Sequence, residues 1–213
     1  SAAVESLCAN LIEHPVLNAM TPDVARAYAA IASSLEQGGT LYLCGNGGSF
    51  SDALHISGEL LKSFVRPRPL PDGLRTRLRE QPHGDELAEH LQAGLRAHVL
   101  GCNPALASAV ANDIPVNGIG YAQELCAMAR PGDVLLGIST SGRARNVLLA
   151  VSVAKAMGLT TIGLTGQKEN PLSTSVDIPL CVPESETYRV QELHILLYHQ
   201  LCLMLENSFF SDV

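Results

Sequence analysis

Apolar positions recur along this chain in two rhythms. Short unbroken apolar runs stand at 41–44, 97–100, 133–138 (DVLLGI), 160–164 (TTIGL) and 177–182 (DIPLCV). Between them, apolar residues return every three or four positions, which predicts helices near 50–64, 144–157 and 186–207. Unbroken runs separated by helices are the pattern of strands buried on both faces of a parallel sheet. Right-handed crossovers then place helices on both sides. The expected fold class is α/β: a three-layer, doubly wound, flavodoxin-like sheet of five parallel strands. Residues 3–19 and 22–37 predict two N-terminal helices, and 186–207 a C-terminal one. Thr21-Pro22 reads as a helix start, with Thr as cap and Pro in the first turn, and Gly38-Gly39 as its end.

Residues 66–96 break the rhythm. They are proline-rich first and charge-rich afterwards. Leu74, Leu78, Leu87, Leu91 and Leu95 recur at helical spacing, so two short helices are expected at 71–80 and 84–95. The expected organisation is one domain over 1–213, with an N-terminal helical extension 1–38 and a helical insertion at about 66–96.

Composition narrows the function more than the fold. With 213 residues, 46% apolar and 16% charged, the chain can bury a sizeable core and is unlike a disordered or coiled-coil sequence. A formal charge of −7 weighs against sequence-independent nucleic-acid binding, which rests on neutralising phosphates. Aromatics are 4% and Trp is absent, so stacking platforms are scarce. Cys8, Cys44, Cys102, Cys126, Cys181 and Cys202 are irregularly spaced with no C-x-x-C, and read as reduced core residues of a cytoplasmic protein. The residues given open on no leader-like pattern and hold no apolar stretch of about 18 residues, so no membrane span is expected.

Ligands of doubly wound folds sit beyond the carboxyl ends of the strands. After the first strand comes Gly45-Asn46-Gly47-Gly48-Ser49. Its glycines permit close backbone approach, and Ser49 with Asp52 fits a capping box, so the loop reads either as an N–H-lined anion site or as a plain turn. After the third strand, Ser139-Thr140-Ser141-Gly142 offers more hydroxyls than capping needs, which favours a neutral phosphate cradle. Thr165-Gly166 reads as an ordinary turn. His55 and Glu59, four apart, share one helix face and alone read as a solvated pair. The last helix changes that, because its apolar stretch carries Gln191, His194 and His199. Buried polar groups need partners. Gln191 and His199 are eight apart and project to a similar side, while His194 is offset and reads as a core histidine. His14, His83, His90 and His98 show no grouping.

Together, Cys-Gly-Asn-Gly-Gly-Ser at 44–49, Ala-Leu-His at 53–55 with Glu59, Ala-Asn-Asp at 111–113, the block at 132–142, Leu-Thr-Gly at 164–166 and Arg-Val-Gln-Glu-x-His at 189–194 with His199 carry a resemblance. The chain resembles the sugar isomerase (SIS) domain family, most of all its phosphoheptose isomerases, over residues 1–65 and 97–208. The resemblance implies a substrate loop at Asn46, Gly47 and Gly48 with Ser49, further substrate contacts at Asn112, Asp113 and Gln191, and a phosphate loop at Ser139, Thr140 and Ser141. It implies one Zn2+ per subunit on His55, Glu59, Gln191 and His199, with Glu59, also a substrate contact, and His199 as the catalytic acid/base pair. The implied reaction is aldose–ketose isomerisation of sedoheptulose 7-phosphate to a mannoheptose 7-phosphate through an enediol, as a step of heptose biosynthesis for cell-surface sugars. The implied partners are the small sugar phosphate and copies of the chain itself in a homotetramer, with no nucleic acid and no membrane.

Three features depart from the family pattern. Arg143-Ala144 stands where Asn-Ser is usual, which removes a phosphate hydroxyl and leaves Arg143 or Arg145 as a substitute donor. Gly58 inside the helix of His55 and Glu59 implies tight packing there. The 66–96 insertion is expected near the substrate mouth or a subunit contact. The alternatives are isomerisation of another sugar phosphate, or a non-catalytic phosphosugar-binding regulator or scaffold. Retention of His55, Glu59, Gln191 and His199 favours an enzyme. A cradle of hydroxyls and N–H groups needs no net positive charge, so −7 does not weigh against a sugar phosphate.

Overall fold

The computed structural model describes residues 15–167 and 169–210. Strands β1 (Leu41–Cys44), β2 (Ala97–Val99), β3 (Val134–Ser139), β4 (Thr160–Thr165) and β5 (Ile178–Cys181) form one sheet in the order β2-β1-β3-β4-β5. Every pair is parallel. This is the flavodoxin-like order expected, and its direction reverses between β1 and β3. Helices α1 (Pro15–Asn18), α2 (Thr21–Glu36), α3 (Gly48–Leu61), α4 (Asp72–Arg79), α5 (Gly84–His90), α6 (Pro104–Asp113), α7 (Gly120–Met128), α8 (Arg145–Ala156), α9 (Pro171–Ser175) and α10 (Thr187–Phe209) complete the described chain.

Strand side chains alternate between faces. Leu41, Leu43, Val134, Leu136 and Ile138 pack with buried residues of α2, α3 and α10. Tyr42, Cys44 and Leu135 pack with α7, α8 and α9 on the opposite face. The two apolar clusters are the two interfaces of a three-layer sandwich. The site elements α3 and α10 therefore share one layer.

Several expectations change. Most of the helix expected at 3–19 lies outside the described residues, as do His14 and Cys8. Thr21 does not cap α2, because its hydroxyl donates to the Asn18 carbonyl at 2.7 Å. Helices α6 and α7 fill a stretch for which periodicity predicted none. In the insertion, the second helix stops at His90, well before 95. Leu91 turns extended there because the chain must return: Gln92 bridges to Pro69, Ala93 N donates to Arg68 O, and Leu95 N donates to Leu60 O, the last two at 2.8 Å. Leu95 is buried, but Leu74, Leu87 and Leu91 lie on the surface. Cys44 and Cys202 are core residues, whereas Cys102 and Cys126 are exposed and Cys181 half-buried, so only part of the core reading of the cysteines holds. No helix among the described residues is long and apolar enough to cross a membrane.

Where α3 ends, a buried ion pair takes over. Arg68 Nε donates to Glu206 Oε1 at 2.8 Å, with both side chains at most 1% exposed. Arg68 also donates to the carbonyls of Leu60 (2.8 Å) and Glu59 (2.9 Å), which the end of α3 leaves without helical partners. Glu206, on α10, accepts from the backbone N–H groups of Phe64, Val65 and Arg66 at 2.8–3.1 Å. Burial alone would raise the Glu206 carboxyl; the N–H groups and the guanidinium outweigh it and hold the pKa below the usual carboxylate range.

Removing one partner of such a pair leaves a buried charge unpaired, at a cost of about 3–5 kcal/mol. Glu206→Gln is therefore expected to lower the urea midpoint at pH 7 by that much stability. A lowered folded pKa gives stability that is present above the unfolded value and lost as pH falls through the folded one. The gap between wild type and variant should thus narrow in urea titrations below about pH 4.

Candidate active site

The sheet reverses between β1 and β3, so the loops after these strands stand side by side. Gly47, with φ of 55°, leads directly into α3. Helix α3 begins at Gly48, so Ser49 lies inside it rather than at the cap, and the expected capping box of Ser49 and Asp52 is absent. Ser49 instead lines a cavity of about 180 Å³ with Asn46, Ser139, Thr140, Ser141 and Ala144. The Gly-rich loop and the hydroxyl loop therefore meet in one pocket. Ala144 stands in its wall where a hydroxyl was missed. Arg145 donates to the Asn117 carbonyl at 3.1 Å, while Arg143 is exposed.

A second cavity, of about 400 Å³, shares Asn46 with the first and adds Phe50, Gly101, Tyr121 and Asn146. Asn46 and Asn146 exchange two amide hydrogen bonds, each 2.8 Å, across 100 residues of chain. The Tyr121 hydroxyl donates to Gly45 O and approaches Asn46 Oδ1 at 3.3 Å. The sequence reading missed Asn146 and Tyr121. No periodicity marks them; only the packing of α7 and α8 against the Gly loop does. Asn112 and Asp113 lie exposed at the end of α6, hydrogen-bonded to each other at 2.8 Å, and line neither cavity.

One turn further along α3, His55 and Glu59 meet α10. His55 Nε2 lies 3.1 Å from Glu59 Oε1, and His55 Nδ1 lies 2.8 Å from the Tyr198 hydroxyl. The His55 and His199 rings are edge to face with centroids 5.0 Å apart. His199 Nε2 is buried with no hydrogen-bond partner. Burial, then His55, push the His199 pKa down, and Glu59 opposes them. Gln191 lies over the start of α3: a Cβ on Gly48 would sit 2.2 Å from Gln191 Nε2 and would push that amide aside. His194 is a core histidine as read, but its ring nitrogens lack partners of good geometry. Burial pushes it down to about 4, against a backbone contact with Thr165.

The donors suit a metal. The 3.1 Å separation of His55 Nε2 and Glu59 Oε1 is close to the roughly 3.4 Å edge of a tetrahedral shell with bonds of about 2.1 Å. His199 brings an unpaired buried nitrogen beside them. Among the described residues, however, no three His, Cys, Asp or Glu side chains already stand in a metal-holding arrangement. Gly58 is the other correction: among the described residues, nothing beyond its own helix lies within 4 Å of where its Cβ would be, so the tight packing expected there is not seen.

The SIS domain family profile matches residues 112–204. A phosphoheptose isomerase from Thermodesulfovibrio yellowstonii is 38% identical over 85% of this chain and 78% of its own. One from Crocosphaera subtropica is 36% identical over 85% and 80%. The chain belongs to the phosphoheptose isomerase family. Among solved structures, the phosphoheptose isomerase of Francisella tularensis matches 95% of this chain and 94% of its own, with TM-score 0.74 at 32% identity. That of Neisseria gonorrhoeae matches 95% and 98%, with TM-score 0.73 at 27% identity. Membership in the phosphoheptose isomerase family is consistent with a metal cofactor.

The hydroxyl loop of this phosphoheptose isomerase family member depends on Gly142, whose φ is 64° and whose Cβ would meet Asn170 Oδ1 at 1.8 Å. Gly142→Ala is expected to cost at least about 1–3 kcal/mol in thermal unfolding, from the left-handed backbone alone.

Proposed function

We propose that this protein isomerises sedoheptulose 7-phosphate to D-glycero-D-manno-heptose 7-phosphate, a step of heptose biosynthesis. The observation that carries the proposal is that one helix, α3, opens at two pockets that share Asn46, one of them holding Ser139, Thr140 and Ser141, and further along carries His55 and Glu59 beside His199. Ser139, Thr140 and Ser141 hold the phosphate with backbone N–H groups at the start of α3, where the helix dipole favours an anion. The anchored phosphate orients the far end of the sugar. Asn46, Gly47, Gly48, Ser49 and Gln191 contact the sugar, and Asn112 and Asp113 reach it in the assembled protein.

Glu59 takes a proton from C1 of the ketose, and the C–H electron pair becomes the C1–C2 double bond of the enediol. Oε1 faces His55, so Oε2 is the oxygen that takes the proton. His199 supplies the proton that the C2 oxygen gains. Glu59 then returns its proton to C2 while O1 gives its proton to His199, which forms the C1 carbonyl of the aldose and restores both residues. A zinc ion on His55, Glu59, Gln191 and His199 supplies Lewis-acid polarisation of the carbonyl oxygen when bound.

The whole chain is then one SIS domain that works in the cytoplasm as a homotetramer. Leu54, Leu61, Val65 and Ile195 are exposed on or beside the helices that carry the site, and Gly58 leaves its face open. Apolar groups gathered in that way support burial against another copy.

Glu59→Gln and His199→Gln should each lower kcat on sedoheptulose 7-phosphate by about 10²–10⁴-fold, with Tm within a few degrees of wild type. A chelator should lower wild-type turnover, and added Zn2+ should restore it. Wild-type protein that interconverts no ketose and aldose phosphate would sink the proposal.

A further inference from the structure

The hydrogen bonds behind the candidate metal ligands do not balance on their own. Asp52, Tyr198, His55 and Glu59 form a row. The gaps are 3.4 Å from Asp52 Oδ1 to the Tyr198 hydroxyl, 2.8 Å from that hydroxyl to His55 Nδ1, and 3.1 Å from His55 Nε2 to Glu59 Oε1. Both ends are carboxylates, which when ionised only accept. Between them a neutral row owns two protons, one on the Tyr198 oxygen and one on the His55 ring. Three gaps and two protons leave one gap without hydrogen.

The two ends differ in access. Asp52 is buried, its Oδ2 has no partner, and the Tyr198 hydroxyl is the donor its other oxygen has. Emptying that gap would leave a buried carboxylate wholly unsatisfied. At the other end the side chains of His55 and Glu59 are 44% and 21% exposed, so a cation from solvent can enter between them. The row therefore runs one way. Tyr198 donates to Asp52, His55 Nδ1–H donates to Tyr198, and Nε2 turns its lone pair to Glu59.

We propose that Tyr198 and Asp52 are positioning residues that hold His55 in the Nδ1–H tautomer, so that the gap between its Nε2 and the Glu59 carboxylate is a seat for an external cation. This deepens the metal reading above and rests on it only for the identity of the cation. The absent capping box is part of the same arrangement, because Asp52 faces α10 rather than the start of its own helix. Histidine ligands generally have their second nitrogen fixed in this manner, and loss of the partner weakens metal affinity about 10–100-fold.

The test uses the full chain labelled with 15N. Long-range 1H–15N spectra of the imidazoles read the tautomer, and a chromogenic chelator competing for Zn2+ reads affinity. In wild type, His55 Nδ1 should stay protonated with and without zinc, and Nε2 should present its lone pair in both states, with a shift on zinc binding. Tyr198→Phe should lose the Nδ1–H preference and weaken zinc binding by about 10–100-fold. Asp52→Asn, whose amide can donate as well as accept, should shift His55 toward Nε2–H and weaken zinc similarly. Tm reports whether either variant merely unfolds, and the wild-type spectrum decides if both do. An Nε2–H tautomer in the zinc-free wild type overturns the proposal, as do folded variants with unchanged tautomer and affinity. Wild type that keeps Nδ1–H but binds no zinc supports the positioning role and removes the zinc reading alone.

Discussion

The buried pair between Arg68 and Glu206 is the constraint on which the site depends. Helices α3 and α10 carry its two halves, His55 and Glu59 on one, Gln191 and His199 on the other. Packing of apolar side chains holds two helices together but leaves their sliding soft. The ion pair removes that freedom, because Arg68 is tied at once to the last carbonyls of α3 and to a carboxylate on α10. One of those carbonyls belongs to Glu59 itself. A charge pair this deep is weak evidence of net stability compared with an apolar substitute. Its geometric content is greater, since it fixes the register of the helices to within a hydrogen bond.

The same pair explains how the chain accommodates the segment between 70 and 95. The excursion from 70 to 95 leaves and returns beside Arg68, closed by the bridge of Pro69 to Gln92 and the Ala93 and Leu95 backbone bonds. Loop closure grows expensive only slowly with length, so a pinned base lets some twenty-five residues leave and rejoin the sheet's edge without disturbing it. The inserted helices line neither cavity at the strand ends. Most of their leucines lie on the surface, and helix α4 has basic residues in its last turn while α5 opens with acidic ones.

The pocket between the Gly-rich and hydroxyl loops shows how an acidic chain can suit an anion. Four hydroxyl residues line it with Asn46, and helix α3 begins there, so partial charges can do what net charge does not. Asn46 is common to both cavities and is held on each side, by Asn146 and Tyr121.

The sequence by itself determined the five strands, the long helices and the two polar loops at the switch point, because each is written in local periodicity or in a short run of residues. It also singled out His55, Glu59, Gln191 and His199, from spacing on two helices and from resemblance. It misread Ser49 and Asp52 as a cap, since a capping box and a residue facing another helix have the same local pattern. Only the tertiary structure decided the contacts between distant elements. Asp52 with Tyr198, Asn46 with Asn146 and Arg68 with Glu206 join residues 100 or more apart in the chain. No local rhythm encodes such a pair. For Asp52 with Tyr198 and Arg68 with Glu206, burial removes water from both partners and leaves each as the other's hydrogen-bonding group, whereas Asn46 and Asn146 meet only because the fold sets their two loops side by side.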